Sequence, residues 1–289
     1  MSLVNMRTQL NDADRGRYAV PSFNCSSLEL ARAIIETAEE TDSPVIVQVH
    51  PSELRYAGVR PLGAMLRTMA EDAHVPIVIH LDHGDNMDTV KAAVENSFTS
   101  VMFDGAHLPF EENIQESRRV VDFCHKHDVS VEAELGVLGG IGAEVEHEGI
   151  VGELTDPAAA EEFVQKTEVD TLAIAVGNAH GLYKGADARS IDVERIREIF
   201  ERVQVPLVLH GGSDTPDETI QRAIKYGIRK INISTDMKFA FRKAIFEFMS
   251  TSEDYELHHI NAKGIAAAKI IIRDKLNLFG SLGACRNGS

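Results

Sequence analysis

The feature that most constrains the fold of this chain is a repeated alternation of short apolar runs with longer amphipathic stretches. The runs hold apolar residues at consecutive positions, which is typical of parallel strands covered on both faces. Three of them begin at Pro44, Pro76 and Pro206, where a missing backbone N–H costs least. Eight strands are predicted, at residues 18–23, 44–49, 76–81, 100–105, 130–135, 171–176, 206–211 and 230–234.

The stretches between these strands have the periodicity of helices. Residues 27–40, 86–96 and 112–127 carry apolar side chains at spacings of three to four. Eight strand–helix units in 289 residues predict an α/β fold, a (β/α)8 TIM barrel with a C-terminal helical extension. Charges are spread along the chain and no Pro- or Ser-rich linker divides it, so one domain over residues 1–289 is expected. A doubly wound open sheet is the alternative.

Composition excludes several classes of partner. The net charge is −16, and a nucleic-acid-binding surface needs clustered Lys and Arg, so we expect no nucleic-acid partner. No apolar segment reaches the length of a membrane span, so no membrane partner is expected. Cys25, Cys124 and Cys285 show no CxxC spacing and are interpreted as reduced thiols of a cytoplasmic protein.

A barrel of this kind carries its chemistry at the carboxyl ends of its strands. Polar and ionisable side chains stand at that end of every predicted strand, whereas the opposite ends carry mostly Pro, Ser, Asp and Lys. The residues at the carboxyl ends are Asn24, His50, Asp82, His83, Asp104, Glu132, Glu134, Asn178, His180, His210, Asn232, Ser234 and Thr235.

Three histidines at corresponding strand ends indicate a metal site. His83, His180 and His210 would converge in space, and three imidazoles with an open fourth position form a catalytic zinc site. Three coinciding positions favour metal binding over the structural role that a single strand-end histidine usually has. His80 lies two residues before Asp82 and is interpreted as a core histidine or one that supports the ligands.

Carboxylates follow two neighbouring strands. Asp104 and Glu134 could hold a second cation, orient the histidines or simply be solvated. Glu132 shares a strand face with Glu134, so the residues alone leave the choice between these two open.

Two glycine- and hydroxyl-containing segments indicate a phosphate site. Residues 210–214 (HGGSD) follow strand 7 and residues 232–236 (NISTD) follow strand 8, and each opens a helix. The loops after strands 7 and 8 are the usual phosphate site of TIM barrels, although each segment could also be an ordinary capped turn. The candidate contacts are Gly211, Gly212, Ser213, Asn232, Ser234 and Thr235, with Gly181 and Lys184 from the segment HGLYKG.

A metal, an adjacent carboxylic acid and a phosphate clamp together indicate a retro-aldol cleavage of a phosphorylated ketose. The metal would polarise the ketone oxygen, the clamp would position the substrate, and Asp82 would move a proton at the bond that breaks. A Schiff-base aldolase would need a lysine inside the barrel at a strand end, and Lys230 stands at a strand start instead. A metallohydrolase would typically place paired histidines on strand 1, which ends in SFN.

The segments that carry this chemistry resemble those of the class II, zinc-dependent fructose/tagatose-bisphosphate aldolase family. The resemblance covers essentially the whole chain, and the middle third is most similar to the tagatose-bisphosphate branch. The resembling segments are YAVPSFN, IHLDHG, SVMFDGAHLPFEENI, VDFCHKHDVSVEAELGVLGG, VGNAHGLYKG, PLVLHGGSD and KINISTD.

The resemblance implies a role for each candidate. It implies that Asp82 is the proton donor and acceptor, that Asp104 and Glu134 form a second divalent-cation site, and that Na⁺ or K⁺ lies near the phosphate. It also implies a homodimer or homotetramer. The residues implied to bind the catalytic Zn²⁺ are His83, His180 and His210, and those implied to contact dihydroxyacetone phosphate are Gly181, Gly211 to Ser213 and Asn232 to Thr235.

Departures from the family pattern lie on the aldehyde side. His50 stands where the family has Ser or Thr, and with Asn24 it is a candidate contact for the aldehyde. Asp214 replaces a common glycine, and Ile265, with Lys263 nearby, occupies the position of an arginine that reaches the distal phosphate. Tagatose-1,6-bisphosphate and fructose-1,6-bisphosphate are therefore candidate substrates beside 6-phospho-5-dehydro-2-deoxygluconate of inositol catabolism. A non-catalytic sugar-phosphate sensor is a further alternative.

Overall fold

Eight parallel strands close into a barrel in sequence order, with the first strand paired to the last. The computed structural model describes residues 2–136, 139–140, 153–180 and 191–287. The predicted barrel is confirmed, and the open doubly wound sheet is wrong because Val20–Asn24 pairs with both its sequence neighbour and the last strand. The strands are β1 Val20–Asn24, β2 Val45–Val49, β3 Ile77–Gly84, β4 Ser100–Phe103, β5 Ser130–Leu135, β6 Thr171–Ile174, β7 Leu207–Leu209 and β8 Ile228–Ile233.

Helices cover the outside of the barrel and extend it at the C-terminus. The predicted helix at residues 27–40 begins after the capping side chain of Ser27, which accepts from the Leu30 N–H. The C-terminal extension consists of the last two helices, which pack on each other, and the last of them also packs on the helix at Leu28–Glu40. The helices are α1 Met6–Gly16, α2 Leu28–Glu40, α3 Pro51–Ala57, α4 Val59–Asp72, α5 Met87–Glu95, α6 Phe110–Cys124, α7 Pro157–Thr167, α8 Val193–Arg202, α9 Asp217–Lys225, α10 Thr235–Met249 and α11 Leu257–Leu278.

Helix α1 was not predicted, and it closes the amino-terminal end of the barrel. Its apolar stripe, Met6, Leu10 and Ala13, packs on the inward side chains of the first three strands. These strand residues are Val20, Ile46 and Val78. The barrel therefore has an apolar floor, and its polar side chains lie above it toward the carboxyl ends of the strands.

A short parallel pair lies beyond the barrel strands. Gly139–Gly140 pairs with Ala179–His180, and His180 is in register with Gly140. This pairing places the backbone of His180 after β6, on the side of the carboxyl strand ends. Within the described part of the chain, no helix combines the length and the apolar character that a membrane crossing requires.

Candidate active site and metal centre

The end of β3 presents two neighbouring residues, Asp82 and His83, to one cavity. A regular strand would point them to opposite faces. His83 has φ 48°, in the left-handed region, and the register between β3 and β4 shifts between Leu81 and Gly84. Gly84 remains in the strand, where a Cβ would lie 2.6 Å from the Met102 carbonyl oxygen. Backbone strain at His83 brings both side chains into the site.

Two imidazoles meet at the centre of the cluster. His83 Nε2 lies 3.2 Å from His210 Nδ1, with the two rings edge to face. The other nitrogen of each ring contacts a carboxylate: His83 Nδ1 lies 2.8 Å from Asp104, and His210 Nε2 lies 2.8 Å from Glu132. Ionised carboxylates only accept, so each histidine carries its proton on the carboxylate side. The two facing nitrogens thus present lone pairs to each other, which is stable only around a shared proton or a metal ion.

This arrangement fits a metal ion. Tetrahedral Zn²⁺ with Zn–N bonds of about 2.0–2.1 Å holds two nitrogens about 3.3 Å apart, close to the His83–His210 spacing. Carboxylates on the outer nitrogens of ligating histidines are the usual support of such sites. Two groups of buried side chains have ligand atoms close enough to share an ion: Asp82, His83 and His210, and His83, Asp104 and Glu134.

The electrostatics of the cluster also favour a cation. Burial, and then the charge of Asp104, raise the pKa of Glu134 well above its usual value. Burial lowers the pKa of His83, but Asp82 and Asp104 outweigh it and raise that pKa well above its usual value. Glu134 Oε2 is buried and has no hydrogen-bond partner among the described residues. A buried carboxylate oxygen in this negative potential is a natural ligand for a divalent ion.

Asp82 is held as a carboxylate by its surroundings. Burial would raise its pKa, but the positive potential of the two histidines and of Lys230 outweighs burial and lowers the pKa well below its usual value. Gln48 donates to Asp82 Oδ2 at 3.0 Å and Asn232 donates to Oδ1 at 3.1 Å. Gln48 also donates to Asn24 at 2.7 Å. The carboxylate is therefore ionised and is oriented by side chains from β2 and β8.

The loop after β7 and the start of α10 form the other wall of the cavity. The Gly212 N–H donates to the Asn232 carbonyl at 3.0 Å, and a Cβ on Gly212 would collide with Ile231. Ser213 Oγ accepts from the Asp236 N–H at 3.5 Å, in the first turn of α10. This wall brings the start of a 15-residue helix to the site, and helix starts bind anions. The predicted contacts that line the cavity are Gly211, Ser213, Asn232, Ser234 and Thr235.

His50 also lines the cavity. Its Nδ1 accepts from the Ser52 N–H at 3.2 Å and lies 2.8 Å from Ser52 Oγ, so His50 is the N-cap of α3. A backbone N–H can only donate, so the neutral ring carries its proton on Nε2. Its ring centroid is 5.8 Å from that of His83. His50 thus brings a hydrogen-bond donor to the cavity wall next to His83.

Comparison with known proteins identifies the family. The family model of fructose-bisphosphate aldolase class-II matches residues 4–284. A fructose-bisphosphate aldolase of Geobacillus stearothermophilus is 43% identical over 98% of this chain and 99% of its own. The chain belongs to the class-II fructose-bisphosphate aldolase family. It is an aldolase, a carbon–carbon lyase, and the resemblance read from the sequence is confirmed.

Solved structures agree with this assignment. The YdjI aldolase from Escherichia coli K12 superimposes with a TM-score of 0.87, at 35% identity over 98% of this chain and 99% of that one. A structure from Coccidioides immitis superimposes with a TM-score of 0.90, at 29% identity over 98% of both chains. The aldolase barrel is therefore shared over essentially the full length of these chains.

Some predicted residues of the aldolase site lie outside the described residues. Gly181 and Lys184 belong to residues 181–190, which the structure does not describe. The backbone of His180 belongs to the short parallel pair, but its side chain is not described. Asn178, another residue predicted at a strand end, is not among the residues that line the cavity. Its side chain donates to the His210 carbonyl at 2.9 Å. The segment before His180 is thereby tied to the strand end that carries His210.

Sequence reasoning missed the contributions of Gln48 and Lys230 and left the role of Glu132 open. Gln48 orients Asp82, Glu132 contacts His210, and Lys230 contacts Glu132 at 2.8 Å. Alternation along the strands could have placed Gln48 and Lys230 inside the barrel, because each lies two residues before a predicted strand-end side chain. Their partners come from distant strands, so the contacts themselves have no signal in the sequence.

Proposed function

We propose that this aldolase reversibly cleaves a phosphorylated ketose to dihydroxyacetone phosphate and an aldehyde, with Zn²⁺ as its catalytic metal. The observation that carries the proposal is the placement of the Asp82 carboxylate beside the paired nitrogens of His83 and His210. His180 is proposed as the third zinc ligand, because its backbone lies on the same side of the barrel. Asp104 and Glu134, with His83, are proposed to hold a second divalent cation.

The chemistry divides between the metal site and Asp82. A bound Zn²⁺ would act as a Lewis acid toward the ketone oxygen of the substrate. In the cleavage direction, Asp82 accepts the proton of the hydroxyl on the carbon that becomes the aldehyde, and the carbon–carbon bond breaks. Gln48 and Asn232 hold the carboxylate in the orientation required for this transfer. In the condensation direction, Asp82 returns the proton.

The phosphate half of the substrate is proposed to lie against the start of α10. Ser213, Ser234 and Thr235 supply hydroxyls there, and Gly211 and Gly212 let the anion approach the backbone. Gly181 and Lys184 are proposed to complete this site, with Na⁺ or K⁺ as an additional counter-ion.

The aldehyde half is proposed to be recognised through hydrogen bonds with Asn24 and with the Nε2–H of His50. Among the described residues that line the cavity there is no arginine or lysine. Ile265 is buried in the main apolar core and Lys263 lies over the ring of Phe248, so neither lines the cavity. These features favour an aldehyde whose far end is recognised by hydrogen bonds rather than by a cationic clamp on this chain.

A retro-aldol assay tests the proposal. Tagatose-1,6-bisphosphate, fructose-1,6-bisphosphate and 6-phospho-5-dehydro-2-deoxygluconate would be offered with Zn²⁺ present, and dihydroxyacetone phosphate would be detected. We expect turnover of at least one of them. The Asp82→Asn variant is expected to lose roughly 10²- to 10⁴-fold in kcat while still binding zinc, since an acid–base group contributes about this much.

Three results would contradict the proposal. Activity that survives both Asp82→Asn and EDTA would exclude this mechanism. Borohydride trapping of a lysine with substrate would indicate a Schiff-base aldolase. Binding of zinc and sugar phosphates without cleavage of any ketose would identify a sensor instead.

An exposed apolar surface on the C-terminal helices supports the proposal of a homo-oligomer. Phe246 and Met249 of α10 and Leu257 of α11 are 69%, 57% and 72% exposed. Phe246 and Met249 lie about one turn apart on α10, and contiguous exposed apolar side chains mark association surfaces. We expect a homodimer or homotetramer by analytical ultracentrifugation, and Phe246→Glu should shift it toward the monomer. A wild-type monomer at micromolar concentration would contradict this.

A reducing, cytoplasmic location is proposed from the cysteines. Cys25, Cys124 and Cys285 are all unpaired thiols, and Cys25 and Cys124 are buried. Reduced thiols persist in the cytosol. Fractionation of the source cells would test this proposal.

A further inference from the structure

A lysine ammonium is completely buried inside the barrel, below the metal centre. Lys230 of β8 has no solvent-exposed surface. Its Nζ lies 2.8 Å from Glu132 Oε2 and 3.3 Å from His80 Nε2. A buried charge is costly unless it is paired and hydrogen-bonded. Lys230 therefore depends on these two neighbours.

The proton positions in this group follow from the chemistry of the donors. Lysine only donates, so His80 accepts on Nε2 and carries its proton on Nδ1, which lies 2.8 Å from Ser100 Oγ. An imidazole that accepts on one nitrogen is neutral, so His80 brings no charge to Lys230. Glu132 is thus the counter-charge of Lys230.

The second oxygen of Glu132 reaches the metal centre. Glu132 Oε1 lies 2.8 Å from His210 Nε2, while Oε2 is held by Lys230. An ionised carboxylate accepts only, so His210 carries its proton on Nε2 and turns the lone pair of Nδ1 toward His83 Nε2. The side chains of β8 and β5 thereby determine which nitrogen of His210, the residue that follows β7, faces His83.

We propose that Glu132 and Lys230 are positioning residues of the metal centre. Glu132 fixes the tautomer and ring orientation of His210, and Lys230 fixes the charge and orientation of Glu132. A purely stabilising role would not require charges, since apolar residues of similar volume commonly replace a buried ion pair without loss of stability. The inference rests on the proposed role of His83 and His210 as zinc ligands.

The test measures zinc affinity by chelator competition and the visible spectrum of the Co²⁺-substituted protein. The double variant Glu132→Gln/Lys230→Met removes both charges, so it leaves no unpaired charge in the barrel. We expect it to fold and to bind zinc about 10- to 100-fold more weakly, with a changed Co²⁺ spectrum. The matched control is Thr171→Val, which is equally buried and in register with Glu132. The Thr171 hydroxyl has no hydrogen-bond partner among the described residues, so this variant should match the wild type.

A second measurement on the wild type covers the case in which the double variant fails to fold. Nitrogen-15 NMR of zinc-loaded protein should show His210 protonated on Nε2. Wild-type zinc affinity and an unchanged Co²⁺ spectrum in the double variant would overturn the inference, as would a proton on His210 Nδ1. If the wild type itself binds no zinc, the proposed metal centre fails, and the positioning role fails with it.

Discussion

At the scale of single residues, the site depends on how each side chain is held by its neighbours. Asp82 and Glu134 are both buried carboxylates, yet the pKa of Asp82 is lowered and that of Glu134 is raised. Asp82 faces imidazoles and amide donors, whereas Glu134 faces Asp104. This difference supports the proposal that Asp82 transfers the proton and that Glu134 binds a cation.

Replacing His50 should affect the aldehyde half of the reaction more than the other half. His50→Ser removes the Nε2–H donor, and we expect kcat/KM for cleavage to fall about tenfold, which corresponds to the loss of one hydrogen bond. Solvent exchange of the carbon-bound proton of dihydroxyacetone phosphate requires no aldehyde and should fall less. Equal decreases in the cleavage kcat/KM and in the proton-exchange rate would show that His50 does not bind the aldehyde half.

The thiol of Cys285 should react slowly and with a steep pH dependence. Burial, and then the charge of Asp42, raise its pKa from 9.0 to about 11. The thiolate is the reactive form, so its fraction at pH 8 is about 100-fold lower than for an unshifted thiol. Alkylation by iodoacetamide, followed by mass spectrometry, should accelerate about tenfold per pH unit and level off near pH 11. The urea-unfolded chain is the control. A rate equal to that control at pH 8 would contradict the prediction.

At the scale of elements, helix α1 closes the barrel although it lies outside the strand–helix repeat. Its Asn5 cap accepts from the Thr8 N–H, and its apolar stripe faces Val20, Ile46 and Val78. The apolar stripe is short and the rest of the helix is polar, so apolar periodicity predicts this helix only weakly. The helix packs there because the apolar side chains at the amino-terminal end of the barrel would otherwise be exposed to solvent.

Shortening the Leu10 side chain should destabilise the protein, because Leu10 packs in the apolar cluster at the amino-terminal end of the barrel. Leu10 has no exposed surface, and Leu10→Ala is expected to lower the free energy of unfolding by about 2–5 kcal/mol. Leu28→Ala, at a position that is 49% exposed, is the matched control and should change it far less. Urea unfolding followed by circular dichroism measures both. Equal midpoints for Leu10→Ala and the wild type would show that α1 does not seal the barrel.

At the scale of the whole molecule, the proposed metal centre links strands that are distant along the chain. His83 lies on β3 and His210 directly follows β7. Their supporting carboxylates are Asp104, which directly follows β4, and Glu132, within β5. Metal bound only by the folded barrel should stabilise all of these strands together.

Removal of the metal should therefore lower the melting temperature. At a zinc concentration about 1,000 times Kd, binding contributes about 4 kcal/mol, so EDTA should lower Tm by several degrees and added zinc should restore it. His210→Ala should show no zinc-dependent shift. Differential scanning calorimetry measures this, and an identical Tm with and without EDTA in the wild type would argue against a zinc site.

Local sequence pattern is enough to predict the barrel and most of the polar positions at the carboxyl ends of its strands. Strand periodicity and the rule that chemistry lies at carboxyl strand ends depend on local pattern, so Asp82, His83 and His210 could be placed at one end of the barrel. The orientation of these three side chains depends on contacts that exist only in the folded barrel. The φ of His83 and the contacts of Glu132 with His210 and Lys230 arise between strands that are far apart in sequence. Closure of the barrel creates these contacts, and no local pattern encodes them.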